Sequence, residues 1–438
     1  MRPIHSLRGF RDILPPESGL FSKIETTARE MFASYGYREI RIPTLELKEL
    51  FVKSTGDTTD IVEKEMYAFE DQGKRMIAAR PEGTPGVVRA YIENNLSQSG
   101  KNSKFYYIGS MFRAERPQAG RYREFTQIGV ENLGNPSPFA DAETITVLVR
   151  FLEKTGISGC SGSSHSSLHL GPQCGCSVEI NSMGCAKCRS IYRENLLSYL
   201  KANSGDLCDS CKSRIDRNPL RALDCKTDGP VFAEKAPGIS MCAECEEHFK
   251  KTGELLKISG IFFKLNPHLV RGIDYYTRTV FEVKSSALGS QDAIAGGGRY
   301  DDLVKSMGGP ATPAVGWAMG LDRLVLAIKE VNPAADSPEV FVAAADKNSR
   351  IEAFRILTEL RDYDIKADSS DFDASLKSQM RSADKSDARL AIIIGEEEVR
   401  SSTCIIKFLK EKLSQKTVVR NNLLSELKLI LKPAVTDP

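Results

Sequence analysis

The stretch that most restricts the fold is residues 105–133, FYYIGSMFRAERPQAGRYREFTQIGVENL. Two runs rich in aromatic and β-branched residues flank residues 114–122, which contain Pro117 and Gly120. That pattern predicts an antiparallel hairpin with a long basic loop. Side chains alternate between the two faces of a strand, so the returning run can be sorted by parity. Arg123, Phe125, Gln127, Gly129, Glu131 and Leu133 share one face, and Ile128 and Val130 take the other. An amide and a carboxylate on either side of a bare glycine, with Arg113 closing the outgoing strand, read as a cavity floor with an empty slot at Gly129. Arg116, Arg121 and Arg123 add enough positive charge to hold a polyphosphate. Taken alone, the hairpin favours a plainer reading, an exposed sheet face with scattered charges, because antiparallel sheets often keep one face wet.

At 438 residues the chain is long enough for two or three domains with complete cores. Its 41% hydrophobic and 27% charged content is ordinary for a soluble globular protein. A formal net charge of +2 means that nucleic-acid binding has to come from local patches. No apolar run approaches membrane-spanning length. The opening MRPIHSLRGFRDILPPE lacks the apolar core of a signal peptide. The default expectation is a cytoplasmic protein with no membrane partner. The eleven cysteines are an odd number gathered mainly in one segment, which in a reducing compartment points to metal rather than disulfides.

The string FRAERPQAGRYREFTQIGVE resembles motif 2 of the class II aminoacyl-tRNA synthetases, in the form found in histidyl-tRNA synthetases. The rest of the chain can be read in order against it. Residues 18–35 have apolar residues at helical spacing, and REIRIPTLE follows as an edge strand demoted by Pro43. This resembles motif 1, which implies a homodimer interface. Residues 55–84 read as a hairpin and a turn, RPEGT, and residues 85–95 and 138–155 as helices. Residues 156–181 are Ser/Gly-rich and aperiodic, which favours a flexible loop over a metal site made from His165, His169, Cys160, Cys174 and Cys176. Residues 183–248 form a helical segment with three CxxC pairs, and IYRENLLSYLKA within it is amphipathic. The family carries an insertion here that approaches the acceptor arm of tRNA.

Residues 260–283 read as two strands around a special turn. AIAGGGRYDDLV is strand, glycines, helix, and no Gly-Lys-Ser/Thr follows to make a P-loop. AVGWAMGLDRLVLAI turns from strand to helix near Arg323 and resembles motif 3. Residues 332–338 are a short linker. Beyond it, strands alternate with helices as in a small α/β domain, which resembles an anticodon-binding domain. The expected architecture is an α+β catalytic domain on an antiparallel sheet, the class II synthetase fold. It occupies residues 1–331, is interrupted by the helical insertion at 183–248, and is followed by an α/β anticodon-binding domain at 338–430.

The resemblance implies activation of L-histidine with ATP and Mg²⁺ to histidyl-adenylate and pyrophosphate, then transfer to the 3′ end of tRNA(His). Both reactants of the first step are anionic, so cations are needed where charge builds up, and Arg matches phosphate oxygens with a planar fork that never deprotonates. By resemblance, Arg113 holds the α-phosphate, Arg323 covers the adenine and γ-phosphate end, and Arg121 reaches the β/γ end beside Mg²⁺. Arg271, in LVRGIDYYTRTVFE, matches the histidine-specific motif whose Arg adds a further cation at the α-phosphate. Glu82, Thr84 and Gln127 are assigned to the substrate's α-ammonium. Tyr276 and Glu131 are assigned to its imidazole, and Tyr300 to closing the pocket.

Cys185-x-x-Cys188 and Cys208-x-x-Cys211 are separated by nineteen residues, a spacing read as one four-cysteine structural zinc site, with Cys242, Cys245 and Cys225 able to substitute or complete it. Isolated Cys404 reads as simple core. The main rival is a catalytically inactive paralogue acting as a regulatory subunit of a short ATP phosphoribosyltransferase. The presence of the seven site residues Glu82, Arg113, Gln127, Glu131, Arg271, Tyr276 and Arg323, and of the extra C-terminal domain, argues against it. A synthetase for another amino acid conflicts with RGIDYY. A zinc-bearing RNA-binding module leaves the acids and amides of the pocket without a purpose.

Overall fold

The computed structural model describes residues 4–56, 59–99, 102–157, 175–223, 225, 227–232, 235–270, 273–289, 292–328, 337–411 and 413–431. The chain divides into two compact units, Met1–Pro333 and Ala334–Pro438.

The first unit is built on an eight-stranded sheet. In spatial order its strands are Arg38–Glu39, Ser103–Phe112, Glu124–Leu133, Ala314–Gly320, Ala293–Arg299, Thr277–Ser285, Cys176–Ser182 and Phe263–Leu265. Neighbours are antiparallel except for the parallel pair at each edge. The hairpin pairs Tyr107 with Gly129 and Gly109 with Gln127, so the parity read from the sequence is the parity of the sheet. Ile128 and Val130 are fully buried under the helices Glu17–Ser34, Pro138–Lys154 and Leu321–Ile328. The first of these helices packs because Phe21, Ile24, Ala28, Met31 and Phe32 form one apolar stripe. The second starts where the Ser137 hydroxyl accepts from Phe139 N–H, with Pro138 at the first helical position.

A buried polar knot ties the sheet to these helices. Asp141 accepts from Arg299 Nε at 2.9 Å and from Thr279 Oγ1 at 2.7 Å, and it pairs with His248 Nε2 at 2.5 Å. Arg299 and Asp141 are both 0% exposed. Burial alone pushes the Asp141 carboxyl up, but the hydrogen bonds and charges of His248 and Arg299 hold it below its usual range.

Several segments differ from the sequence reading. Residues 158–174, with His165, His169, Cys160 and Cys174, lie outside the described residues. Cys176–Ser182, expected inside the loop, is an inner strand of the large sheet, paired with Thr277–Ser285 and Phe263–Leu265. Val178 and Ile180 alternate inward, but so short a pattern is hidden beside Ser/Gly-rich sequence, and pairing on both sides supplies the rest. Cys176 is disulfide-bonded, against the expectation of thiols throughout, whereas Cys185, Cys188, Cys208, Cys211, Cys225, Cys242, Cys245 and Cys404 are free. Composition reports on a whole segment, while a disulfide depends on two particular sulfurs meeting. REIRIPTLE is not one strand. Arg38–Glu39 joins the large sheet, and Leu45–Leu47 joins a separate three-stranded sheet with Met76–Ala79 and Ala68–Glu70. Pro43, which has no N–H to give, lies at the break.

The insertion is framed by the helices Ala186–Ala202 and Ala243–Ile258, with three short α-helices and one 3-10 turn between them among the described residues. It has its own small core around Tyr192, Leu196, Leu200, Leu207 and Phe232.

The second unit is a five-stranded sheet in the order Ala367–Ser369, Val340–Ala344, Leu390–Ile394, Thr403–Phe408, Lys416–Val419. The first three strands are parallel and the last two antiparallel. The strand expected at residues 363–367 begins at Ala367, because Tyr363 ends the preceding helix and Asp364 turns the chain with φ +60°. Cys404 is 0% exposed within this core.

Candidate active site

The polar face of the large sheet floors a cavity walled by the turn before the helix Thr84–Glu93, by the hairpin loop and by residues 273–276. Of the residues singled out from the sequence, Glu82, Thr84, Arg113, Arg121, Gln127, Tyr276, Tyr300 and Arg323 all line it. Arg271 lies outside the described residues.

One end of the cavity is acidic and buried. Glu82 Oε2 accepts from the Tyr275 hydroxyl at 3.3 Å, while Glu82 Oε1 is buried without a hydrogen-bond partner among the described residues. Burial pushes the Glu82 carboxyl up to about 7, against the opposing pull of Arg113 and the Tyr275 hydrogen bond. Glu131 lies a layer deeper, at 0% exposure. It accepts from Thr84 Oγ1 at 2.6 Å and from the Tyr300 hydroxyl. Burial raises its carboxyl to about 8, although both hydrogen bonds act to lower it. Gln127 Oε1 accepts from Gly83 N–H at 3.2 Å and from Tyr107 OH at 3.3 Å, which fixes the amide.

The slot at Gly129 is not empty. A Cβ there would lie 2.4 Å from the Tyr107 ring, so the glycine admits an aromatic from the paired strand. Sequence parity shows which side chains share a face but not what the neighbouring strand sends across it. Gly316 does similar work: a Cβ would lie 2.0 Å from Glu131 Oε2. The glycine run of AIAGGGRYDDLV is part of an inner strand, with Gly296 in the cavity lining.

The other end is cationic. Arg113 Nε donates to Pro81 O at 2.9 Å, and its guanidinium stacks over Phe125 at 5.5 Å. Arg323 Nε donates to Ala293 O at 2.7 Å, and Arg121 pairs with Glu115 at 3.0 Å. Burial and then repulsion from Arg121 pull the Arg323 pKa below its usual value. Two guanidiniums crowded this way favour an anion between them. Of the three loop arginines only Arg121 lines the cavity. Arg116 is exposed, and Arg123 donates to the backbone oxygens of Glu115 and Arg8, both at 3.3 Å.

Sequence reasoning missed Tyr275, Glu115 and Asp322. Tyr275 had a signal, the tandem tyrosine beside Tyr276. Asp322 anchors Thr126 N–H at 3.0 Å and pairs with Arg11 at 2.8 Å, a contact across 311 residues that no local pattern reports.

The cysteines correct the zinc reading. Cys185 and Cys188 do not meet Cys208 and Cys211. They meet Cys242 and Cys245, while Cys208 and Cys211 meet Cys225 and Asp228. The helix Ala186–Ala202 stands between the first two CxxC pairs and carries them apart instead of folding them together.

A central antiparallel sheet whose one face joins a buried acidic pocket to paired arginines is the class II synthetase fold. A sequence model of histidyl-tRNA synthetase matches residues 9–324, and one of an anticodon-binding domain matches residues 339–429. A histidine–tRNA ligase of Elusimicrobium minutum is 49% identical over 96% of this chain and 98% of its own length. That of Geobacter metallireducens is 43% identical over 92% and 94%. Apo histidyl-tRNA synthetase of S. aureus superposes with TM-score 0.79 at 30% identity, covering 97% of this chain and all of that one. The chain belongs to the histidyl-tRNA synthetase family and is an aminoacyl-tRNA ligase. A Bacillus halodurans structure described as an ATP phosphoribosyltransferase regulatory subunit/histidyl-tRNA synthetase shares the fold at TM-score 0.62, at only 22% identity. The ligase reading is favoured over the regulatory one.

Proposed function

We propose the following division of labour for a ligase that activates L-histidine with ATP and Mg²⁺ and passes it to tRNA(His). The observation that carries it is Glu82, a buried carboxylate with one oxygen unpartnered among the described residues, facing a cavity whose far end is cationic. A zwitterionic amino acid and a polyphosphate fit those two ends in one orientation. Glu82, Thr84 and Gln127 take the α-ammonium. Tyr276 and Glu131 take the imidazole, and the Thr84 and Tyr300 hydroxyls set the Glu131 carboxyl. Paired polar contacts of this kind reject side chains that cannot satisfy them. Arg113 and Arg271 stabilise charge at the α-phosphate while the histidine carboxylate attacks it. Arg121 and Arg323 hold the rest of the triphosphate, with Mg²⁺ supplying further cationic charge. Pyrophosphate exchange into ATP should need both L-histidine and Mg²⁺. Exchange with a different amino acid, or none with histidine, would overturn the reading.

The same reading makes the protein a cytoplasmic homodimer with a structural zinc in its cysteine-rich insertion. No helix among the described residues is long and apolar enough to cross a membrane. For the dimer, the support is the small sheet after Pro43, where Leu45, Leu47, Phe69 and Met76 are 48%, 51%, 50% and 46% exposed. Sedimentation velocity should give a dimer that Leu47→Lys with Phe69→Lys dissociates. A monomer at micromolar concentration argues against it.

A further inference from the structure

We propose that the insertion holds two zinc ions in separate closed sites, and that one of them ties both ends of the insertion to the wall of the histidine pocket. This rests on reading the segment as metal-binding and deepens that reading.

The first site is Cys185, Cys188, Cys242 and Cys245, whose sulfurs all lie within 4.8 Å of one another. Two thiolates on one tetrahedral zinc, with Zn–S near 2.3 Å, stand about 3.8 Å apart. The Cys185 and Cys188 sulfurs are 3.7 Å apart. The two CxxC turns are built alike. Cys185 and Cys242 each precede the first residue of a long helix, and Cys188 and Cys245 follow in the first turn, 3% and 1% exposed. The turns also serve one another: Cys185 N–H donates to Cys245 Sγ and Cys242 N–H to Cys188 Sγ, both at 3.2 Å. Backbone donors aimed at sulfur support thiolates, which is what a metal requires. Four thiolates fill a zinc coordination sphere, so the ion is structural.

The second site is Cys208, Cys211, Cys225 and Asp228, again within 4.8 Å. The Cys208 and Cys225 sulfurs are 3.9 Å apart. Cys208 and Cys211 repeat the same helix-start turn on a short helix. Asp228 is only 2% exposed and is oriented by Cys208 N–H at 3.1 Å. A buried carboxylate among three sulfurs is an ordinary arrangement around zinc.

The first site sits at the neck of the insertion, where the chain leaves and rejoins the catalytic sheet. Arg278, next but one to Tyr276, has φ +47°, strained for a residue with a side chain. It is held there by two backbone bonds to the neck: Arg278 N–H donates to Gly184 O at 2.8 Å, and Met183 N–H to Arg278 O at 2.6 Å. Arg189, one turn beyond Cys185, donates to Tyr276 O. The sheet register slips here, between Gly298↔Val280 and Arg299↔Thr277. Such an irregularity aims a side chain, and here it stands beside Tyr276 in the pocket wall. Drawing Cys185 and Cys188 onto an ion with Cys242 and Cys245 fixes this neck, and through it the tyrosine.

The test uses the full chain, purified without chelator, with its free thiols verified as reduced. Elemental analysis and native mass spectrometry should find two zinc ions per chain. Cys208→Ser with Cys211→Ser, and separately Cys185→Ser with Cys188→Ser, should each remove one. Finding a single zinc in the parent protein overturns the two-site proposal. Finding none overturns the zinc reading as well, and histidine-dependent pyrophosphate exchange in the same preparation shows whether the ligase reading survives. Should either variant fail to fold, cobalt(II) reconstitution of the parent decides. Two equivalents should titrate in with thiolate-to-cobalt absorption, and saturation at one overturns the proposal. The neck variant should raise the KM for histidine severalfold while leaving the KM for ATP unchanged. Equal effects on both substrates, or none on histidine, would remove the tie to the pocket.

Discussion

Glu82 and Glu131 are the residues at which burial and chemistry meet. Only an ionised Glu82 attracts an ammonium, and its carboxyl is raised to about 7, so attraction should grow as pH rises through neutrality. Histidine affinity of Glu82→Gln relative to the parent should therefore fall from pH 6 to pH 8. The substrate imidazole titrates near ~6.5 in both proteins and cancels from the ratio. A ratio flat across that range would show that Glu82 does not receive the ammonium. Arg271 answers a different question, because its assigned contact forms as charge develops. Arg271→Ala should lower turnover far more than it weakens histidine binding, by about two to three decades, the usual cost of one charge-assisted transition-state contact. Normal turnover at saturating histidine would contradict the role.

At the scale of elements, the knot of Asp141, Arg299, His248 and Thr279 joins two strands of the sheet to two helices. Removing one partner leaves a buried charge uncompensated. Arg299→Ala should destabilise the protein by about 3–5 kcal/mol in denaturant titration. An effect below ~1 kcal/mol would mean that water reaches Asp141 in the variant. Nothing in RYDD announces this knot, because its other members lie 107 to 158 residues from Asp141. The hairpin, by contrast, was legible in its sequence, since strand parity and turn chemistry are local. Only the Tyr107 ring crossing over Gly129 had to be seen.

For the whole molecule, stability and the pocket are linked. Glu82 and Glu131 have folded values of about 7 and about 8, above the ordinary 4.5, so the folded state binds more protons than the unfolded one between those limits. Stability of the ligand-free protein should fall as pH rises through that window, and Glu131→Gln should make the fall shallower. Thermal midpoints at several pH values test this, and an unchanged slope in the variant would refute it. The C-terminal unit carries a basic stretch from Arg400 to Arg420, in which the Arg400, Lys410 and Lys416 side chains are 76%, 48% and 50% exposed. Arg400, Lys410, Lys416 and Arg420 are paired with Glu396, Asp387, Glu426 and the Glu352/Glu359 pair, Lys407 is exposed, and Lys412 lies outside the described residues. A chain ending at Pro333 should still form adenylate but charge tRNA(His) poorly, with a shallower salt dependence. Charging kinetics equal to those of the full chain would refute an anticodon-binding role.

The sequence by itself determined the hairpin and its parity, the helices of Glu17–Ser34 and Pro138–Lys154, the α/β character of the C-terminal unit, and the family to which the motifs belong. Each of these is written in short-range periodicity or in a contiguous motif. Tertiary structure alone decided that Cys176–Ser182 is a strand, that Gly129 shelters Tyr107, and that Cys185 and Cys188 partner Cys242 and Cys245 instead of Cys208 and Cys211. Ligand spacing along a chain limits how close two pairs can come. Which pairs do meet depends on where the intervening helix points, and packing against the rest of the fold sets that direction.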